Sequence, residues 1–147
     1  MKKFLKILYF GIYKVFIKNY SLSLASGLRP SASIKIEIEG EHYEENSSGD
    51  GQYDAFMKAL RKIYDKLGKE FPVLTDYLVT IPPGGKTDAL VETIISWSHG
   101  NMTFRTKGLD ADQTESAIKA TEKMLNIIEN KNSNSDIISL IESTDGV

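Results

Sequence analysis

The feature that most constrains this sequence is an order of hydrophobic patterns that occurs twice. In the first half, alternating segments begin at Tyr20 and Ala32, a third follows around Tyr43, and a helical pattern starts at Tyr53. A period of two is typical of half-buried strands, whereas a period of 3.6 is typical of an amphipathic helix. The first half therefore predicts three strands and then one helix, between residues 19 and 68.

The second half repeats this order between residues 75 and 129. Asp76-Tyr77 matches Asn19-Tyr20 at the start of the first strand. At the start of the helix, Glu115-Ser116-x-x-Lys119-Ala120 matches Asp54-Ala55-x-x-Lys58-Ala59. The predicted fold is α+β, with two tandem βββα units, each a three-stranded antiparallel sheet with one helix. Because units this small have little core of their own, we expect the two units to pack together and two chains to assemble as a dimer.

The same periods predict which side chains face the core. In the second strand these are Ala32, Ile34, Ile36 and Ile38; in the first helix they are Tyr53, Phe56, Met57, Leu60, Ile63, Tyr64 and Leu67; in the second helix they are Ala117, Ile118, Thr121, Met124, Leu125 and Ile128. Gly49-Asp50-Gly51 and Gly108 to Asp112 interrupt the strand pattern before each helix, and residues 69–74 are predicted to link the units.

The two ends of the chain fall outside the repeat. Residues 1–18 are apolar with interleaved lysines, and their lysine-free run, Ile7 to Tyr13, is far shorter than the roughly 20 residues that a membrane helix needs. We interpret this stretch as a packed helix, or as the remnant of a linker, and not as a signal peptide. Residues 130–147 are predicted to be a polar tail, with a short helix around Ile137 to Ile141.

Composition excludes several kinds of function. The formal net charge of −2 gives no general attraction to nucleic acid or to an anionic membrane. The chain has no cysteine and two histidines, His42 and His99, so disulfides and thiolate zinc sites are excluded and a histidine metal site is not expected. We predict no cofactor. No nucleophile–base pair can be recognised, so no catalysis is expected from this chain alone.

The clearest candidate binding site is the turn before the first helix, Gly49-Asp50-Gly51. Glycines let a ligand approach the backbone closely, and the first turn of a helix presents unpaired N–H groups with partial positive charge. Together these features favour a carboxylate. Tyr53 and Asp54 follow as an aromatic wall and an anion for an ammonium group. A plain turn between a strand and a helix explains the same glycines.

The equivalent segment of the second half, Gly108 to Gln113, is a second candidate by pseudo-symmetry. Ordinary helix capping is the alternative, because Asp112 and Glu115 have the spacing of a capping box. Leu74, Tyr77 and Ile81 alternate along a predicted strand and could form an apolar wall, although such residues also serve as plain core.

Four motifs, in this order, resemble the regulatory domain of 2-isopropylmalate synthase and the similar domain of citramalate synthase. They are Gly49-Asp50-Gly51-Gln52-Tyr53-Asp54-Ala55, Leu74-Thr75-Asp76-Tyr77, Gly84-Gly85-Lys86-Thr87-Asp88-Ala89 and Gly108-Leu109-Asp110-Ala111-Asp112. The likeness extends from Asn19 to Glu129. It departs from the common pattern at Asp50, where Asn is usual, and at Gln52, where Pro is frequent.

The resemblance implies a cytoplasmic domain that follows a catalytic TIM barrel, forms a homodimer and binds L-leucine or L-isoleucine near the dimer interface, with inhibition of the barrel as the result. By position, the resemblance assigns three groups of residues to the amino acid. The charged end would meet Gly49, Asp50, Gly51, Tyr53 and Asp54, and the side chain would meet Leu74, Tyr77 and Ile81, with Leu90 and Val91 close by. The pocket would be completed by Leu109, Asp110, Ala111 and Gln113.

No segment resembles the barrel or its His-x-His metal motif. The chain alone is therefore not expected to condense acetyl-CoA with a 2-oxo acid, and a synthase barrel is its implied partner, in cis or in trans. The chain could be a fragment, a truncated gene product or a separate regulatory protein. Leucine feedback is the function we expect, with isoleucine sensing or a ligand-free dimerisation scaffold as the alternatives.

Overall fold

The computed structural model describes residues 13–82 and 90–133, and within them the predicted order of two βββα units is confirmed. The strands are β1 (Val15–Ser23), β2 (Ser31–Ile38), β3 (Glu41–Ser48), β4 (Val73–Thr80), β5 (Val91–His99) and β6 (Met102–Asp110), and the helices are α1 (Gln52–Lys66) and α2 (Gln113–Ser133). The sheets are antiparallel, in the orders β1-β2-β3 and β4-β5-β6. Assembly as a dimer stays a prediction.

Each helix covers its own sheet, with α1 over β2 and β3 and α2 over β5 and β6. The core faces predicted from the periods are confirmed: the four alternating residues of β2 are buried, as are the helix positions from Phe56 to Tyr64 and from Ala117 to Ile128. Tyr53 and Leu67, at the two ends of the α1 stripe, are half-buried. Trp97 on β5 is fully buried and donates a hydrogen bond to Thr106 of β6 at 2.9 Å.

A β-bulge occurs at the same place in both repeats. In β1 the register shifts between Ile17 and Asn19, and in β4 it shifts between Leu74 and Asp76. The extra residue changes which face the following side chains occupy. Ile17 and Tyr20 therefore both lie on the inner side, as do Leu74 and Tyr77.

Several predicted boundaries differ from the structure. Strand β1 begins at Val15, which is fully buried, so the predicted leader boundary after residue 18 falls inside a strand. Strand β4 begins at Val73, inside the predicted linker. Strand β6 continues through Gly108 to Asp110, where an interruption was expected, and helix α2 continues to Ser133. The predicted short helix at 137–141 and the connection at 83–89 lie outside the described residues.

Helix α2 also holds the free edge of β1. The side-chain oxygen of Asn126 accepts hydrogen bonds from the backbone N–H groups of Lys14 (2.7 Å) and Val15 (2.9 Å), and its amide donates to the Val15 carbonyl (2.9 Å). Glu122 accepts from the N–H of Ile17 at 2.8 Å. A strand edge left without partners is costly when buried and promotes association when exposed. The helix of the second unit therefore fixes the sheet of the first.

We expect Asn126→Ala to lower the free energy of unfolding by about 2 kcal/mol, because the buried N–H and C=O groups of Val15 lose their partners. Urea denaturation of the two chains measures the difference. Asn101→Ala, at an exposed site in the turn between β5 and β6, is the matched control and should stay within about 0.5 kcal/mol of the unchanged chain. Equal losses in the two variants would contradict the role given to α2.

Within the stretches that the structure describes, no helix combines the length and the apolar character needed to cross a bilayer.

Candidate functional site

The glycine turn before α1 packs tightly against the helix that follows it. A β-carbon on Gly49 would lie 2.5 Å from the backbone nitrogen of Ala55 and 2.7 Å from an Asp54 carboxylate oxygen. The N–H of Gly49 donates to the Pro30 carbonyl at 2.9 Å. Gly49 is therefore required for close packing between the turn and α1. This agrees with a plain turn between a strand and a helix, which is the alternative to a binding site at this position.

The first turn of α1 has no side-chain cap. The N-cap residue is Gly51, which contributes no side-chain hydrogen bond. Asp50 points away from the helix, since its carboxylate pairs with Arg29 at 3.0 Å on the surface. The backbone N–H groups of this turn are consequently not satisfied by a capping side chain, which is the arrangement that accepts an anionic group.

Asp54 is engaged within the same turn. Its carboxylate accepts a hydrogen bond from the backbone N–H of Asp50 at 2.8 Å and lies 3.2 Å from the Lys58 ammonium. The hydrogen bond from Asp50, followed by the pairing with Lys58, lowers the pKa of the Asp54 carboxyl. Asp54 thus stabilises the turn that leads into α1 by accepting a hydrogen bond from Asp50.

The beginning of α2 is capped, in contrast to that of α1. The Asp112 carboxylate accepts a hydrogen bond from the N–H of Glu115 at 2.9 Å. The predicted capping box is only half formed, because the Glu115 carboxylate accepts a hydrogen bond from the Tyr20 hydroxyl and not from the backbone N–H of Asp112. Asp110 accepts from the Asp112 N–H at 2.9 Å and pairs with Lys119 at 2.8 Å. Those two contacts, the backbone hydrogen bond first, lower the pKa of Asp110.

An aromatic cluster connects the two helix beginnings. The Tyr53 ring of α1 lies 5.8 Å from the Tyr77 ring of β4 and 6.2 Å from Phe56, between ring centroids. Phe56 in turn meets Tyr20 of β1 edge-on at 6.0 Å. Aromatic pairs at these separations contribute beyond the area that they bury. The cluster therefore joins both sheets to the start of α1.

The hydroxyl groups of this cluster reach α2. The Tyr53 hydroxyl and Thr121 Oγ1 are 2.7 Å apart. The side chains of Gln113 and Thr93 lie close to Tyr77 and favour its charged form, but the larger effect of burial raises the pKa of Tyr77. Burial likewise raises the pKa of Tyr53. These phenols are hydrogen-bonding groups that stay protonated at neutral pH, and not general bases.

The predicted wall residues divide into two groups. Leu74, Tyr77 and Val91 are half-buried, and the first two pack against the core. Ile81, Leu90 and Leu109 are exposed by 69%, 44% and 44% of their surface. Ala111 and Gln113 are also exposed at the start of α2. Tyr77 thus lies next to Tyr53 and close to Gln113, whereas Ile81, Leu90 and Leu109 are largely exposed to solvent.

The sequence reasoning did not identify the polar residues that connect the units. Tyr20, Glu115, Thr93 and Thr121 were absent from the predicted site, although each contacts it or its pseudo-symmetric counterpart. Tyr20 could have been found, because it is the equivalent of Tyr77 in the first repeat. The partners on α2 depend on how the two units pack, which the repeat pattern does not contain.

The candidate site places hydrogen-bonding groups next to aromatic surface. It combines open backbone donors at α1, hydroxyl and amide groups, and aromatic surface, which suits a small zwitterion with an apolar side chain. Among residues 13–82 and 90–133, no three histidine or acidic side chains are grouped as a metal site would require.

Comparison with known proteins gives one family match. The model of the LeuA allosteric (dimerisation) domain family matches residues 8–129. Relatives include a protein assigned as an (R)-citramalate synthase of Methanosphaerula palustris, 30% identical over 110 residues that cover 75% of this chain and 21% of the relative. A 2-isopropylmalate synthase of Aquifex aeolicus is 31% identical over 111 residues, 75% of this chain and 20% of the relative.

A third relative, the 2-isopropylmalate synthase of Carboxydothermus hydrogenoformans, is 32% identical over 102 residues, 69% of this chain and 19% of the relative. The chain thus spans about a fifth of the length of the curated relatives that it matches. The resemblance to this family that the four sequence motifs indicated is confirmed.

Proposed function

Because the chain belongs to the family of LeuA allosteric (dimerisation) domains, we propose that it is a cytoplasmic homodimer that binds L-leucine and regulates the catalytic barrel of a 2-isopropylmalate synthase, in cis or in trans. The observation that carries this proposal is the position of Tyr77, whose ring lies 5.8 Å from that of Tyr53 at the start of α1 and which lies close to Gln113 at the start of α2. Both helix beginnings therefore face one cluster, as a site formed by the two repeats requires.

The proposed recognition follows from what each helix beginning has available. The carboxylate of leucine meets the uncapped N–H groups of the first turn of α1. Its isobutyl group packs against Tyr53, Tyr77 and Leu74, which supply aromatic and aliphatic surface. Asp54 and Asp110 already pair with lysines, so we assign them to positioning the two loops and assign the polar contact with the ammonium group to Gln113.

The dimer part of the proposal has support in the exposure of β4. Strand β4 has weaker contact with the helices than the other strands do, although Tyr77 lies next to Tyr53 of α1. Val73 and Leu78 on this strand are exposed by 63% and 50%, and Ile81 follows at 69%. A second copy would cover apolar surface that a single copy leaves in water. Sedimentation should then give twice the 16.4 kDa mass of the chain.

Calorimetry with leucine, isoleucine and valine tests the ligand, and we expect leucine to bind most tightly. At a leucine concentration of about 100 times its Kd, the chain should gain about 2.7 kcal/mol of stability. Gln113→Ala should weaken leucine binding by about tenfold, or about 1.4 kcal/mol, with little effect on unfolding because this side chain is exposed. Asp65→Ala, near the other end of α1, is the control and should bind leucine normally.

Failure of all three amino acids to bind a folded dimer would overturn the ligand proposal and leave a dimerisation scaffold. Isoleucine sensing is the second candidate, because a protein assigned as a citramalate synthase is among the relatives at 30% identity. One shifted methyl group changes affinity by only about 1–3 kcal/mol in an apolar pocket. Tighter binding of isoleucine than of leucine would favour that candidate.

A further inference from the structure

A cleft of about 410 Å³, separate from the aromatic cluster, lies between β6, α2 and the residue that leads into β1. Its lining includes Ile127 and Lys123 from α2, Thr106 from β6 and Tyr13, which is half-exposed. The accessible lining is mostly apolar. An apolar cleft of this size favours aliphatic side chains as its occupant.

The rim of the cleft is cationic. Arg105 and Lys107 extend from exposed positions of β6, and Lys123 lies opposite on α2. The Lys123 ammonium donates to the Lys107 carbonyl at 2.7 Å, which holds its charge at the rim. Among the described residues that line this cleft, none carries a carboxylate. The occupant that the cleft favours is therefore aliphatic with acidic groups at its ends.

One segment of this chain has that chemistry. Residues 137–142 read Ile-Ile-Ser-Leu-Ile-Glu, and the stretch from residue 132 to residue 147 contains Asp136, Glu142 and Asp145 but no lysine or arginine. Residues 1–12, which precede Tyr13 in the chain, contain three lysines and no acid. Charge complementarity thus selects the C-terminal segment over the N-terminal one.

The C-terminal segment can also reach the cleft. Helix α2 ends at Ser133, and Ile127 lies six residues earlier, which is about 9 Å along a helix axis. Residues 134–136 span up to about 10 Å when extended, so the chain can reverse and return to the cleft. The family match ends at residue 129, so the segment lies outside the part of the chain that the family accounts for.

We propose that residues 137–142 bind in this cleft of their own chain, with the aliphatic side chains inside and the acidic groups against Arg105 and Lys107. The bound segment would cover Asn126, the residue that fixes β1 to α2. This docking is independent of amino-acid binding at the aromatic cluster.

A spin label tests the proposal in the full chain, because the absence of cysteine makes a single label unambiguous. In Ser143→Cys carrying a nitroxide, the NMR signals of the backbone amides of Thr106, Lys107 and Asn126 should lose most of their intensity relative to the reduced label. The amides of Asn46 and Asp65, on β3 and α1, should keep theirs.

Reversal of the rim charge supplies the variant and its control. Arg105→Glu combined with Lys107→Glu should restore the intensity at Thr106 and Asn126, whereas Lys62→Glu, an exposed lysine on α1, should not. Full intensity at the cleft in the starting protein would overturn the proposal, as would a loss that survives the double reversal. A loss that persists when the nitroxide and the isotope enrichment are on different molecules would overturn the proposal and assign the cleft to a second copy of the chain.

Discussion

Gly108→Ala is expected to lower the free energy of unfolding by about 3 kcal/mol or more, because β6 and α2 leave no room for a β-carbon between them. A β-carbon at this position would lie 1.8 Å from the carbonyl oxygen of Ser116 and 2.8 Å from the backbone nitrogen of Ala120. Both atoms belong to the helix backbone, so no side-chain rotation relieves the overlap. The helix must move away from the sheet, which opens gaps in a core that is otherwise well packed.

The displacement should also affect the first unit. Helix α2 carries Glu115, which contacts Tyr20, and Asn126, which holds the edge of β1. Gly108→Ala should therefore weaken leucine binding as well as stability, and both can be measured on one sample by denaturation and calorimetry.

Gly51→Ser is the matched glycine control for stability. A β-carbon on Gly51 meets no heavy atom within 4 Å, and serine is a good N-cap residue, so we expect a change within about 0.5 kcal/mol. Equal losses in Gly51→Ser and Gly108→Ala would indicate a general effect of replacing glycine and would contradict the packing argument.

The same glycine shows where sequence reasoning reached its limit. The sequence pattern predicts a break in the strand at Gly108, because glycine commonly marks turns. Gly108 instead lies within β6, where the missing side chain lets α2 approach the strand. Periodicity reports which face is buried, but it does not report how closely a backbone from another element approaches.

The starts of β1 and β4 were misplaced for a different reason. The bulges change the alternation at Lys18 and Thr75, so a search for a strict period of two begins only after them, at Tyr20 and Tyr77. The repeat itself was predicted correctly, because the bulge occurs at the same position in both halves and leaves their similarity intact.

For the candidate site, the sequence predicted both helix beginnings and the strand tyrosine between them. It did not predict that the Glu115 carboxylate would accept a hydrogen bond from Tyr20 in place of one from the N-cap residue, because this partner is available only where β1 lies close to α2. Local spacing defines which partners a side chain can have, and tertiary packing selects among them.

A buried ion pair joins the end of α2 to the linker between the units. The Glu129 side chain is 2% exposed, and its two carboxylate oxygens accept hydrogen bonds from Lys69 at 2.7 Å and from the Tyr64 hydroxyl at 3.1 Å. Burial and the neighbouring Glu129 charge raise the pKa of Tyr64, which keeps it a donor. A carboxylate in this position requires both partners.

Lys69→Met is accordingly expected to lower the free energy of unfolding by about 3 kcal/mol, because it leaves the Glu129 charge buried without a cation. Glu129→Gln added to Lys69→Met should recover a large part of this loss, since the charge is then absent and the amide can still accept from Tyr64. Lys66→Met is the control: Lys66 pairs with Glu45 at the surface with 73% of its side chain exposed, and such pairs contribute about 0–1 kcal/mol. Urea denaturation of the four chains gives the comparison. If Lys69→Met cost no more than Lys66→Met, the linker would not depend on this pair, and the two repeats would be held together by α2 and the aromatic cluster alone.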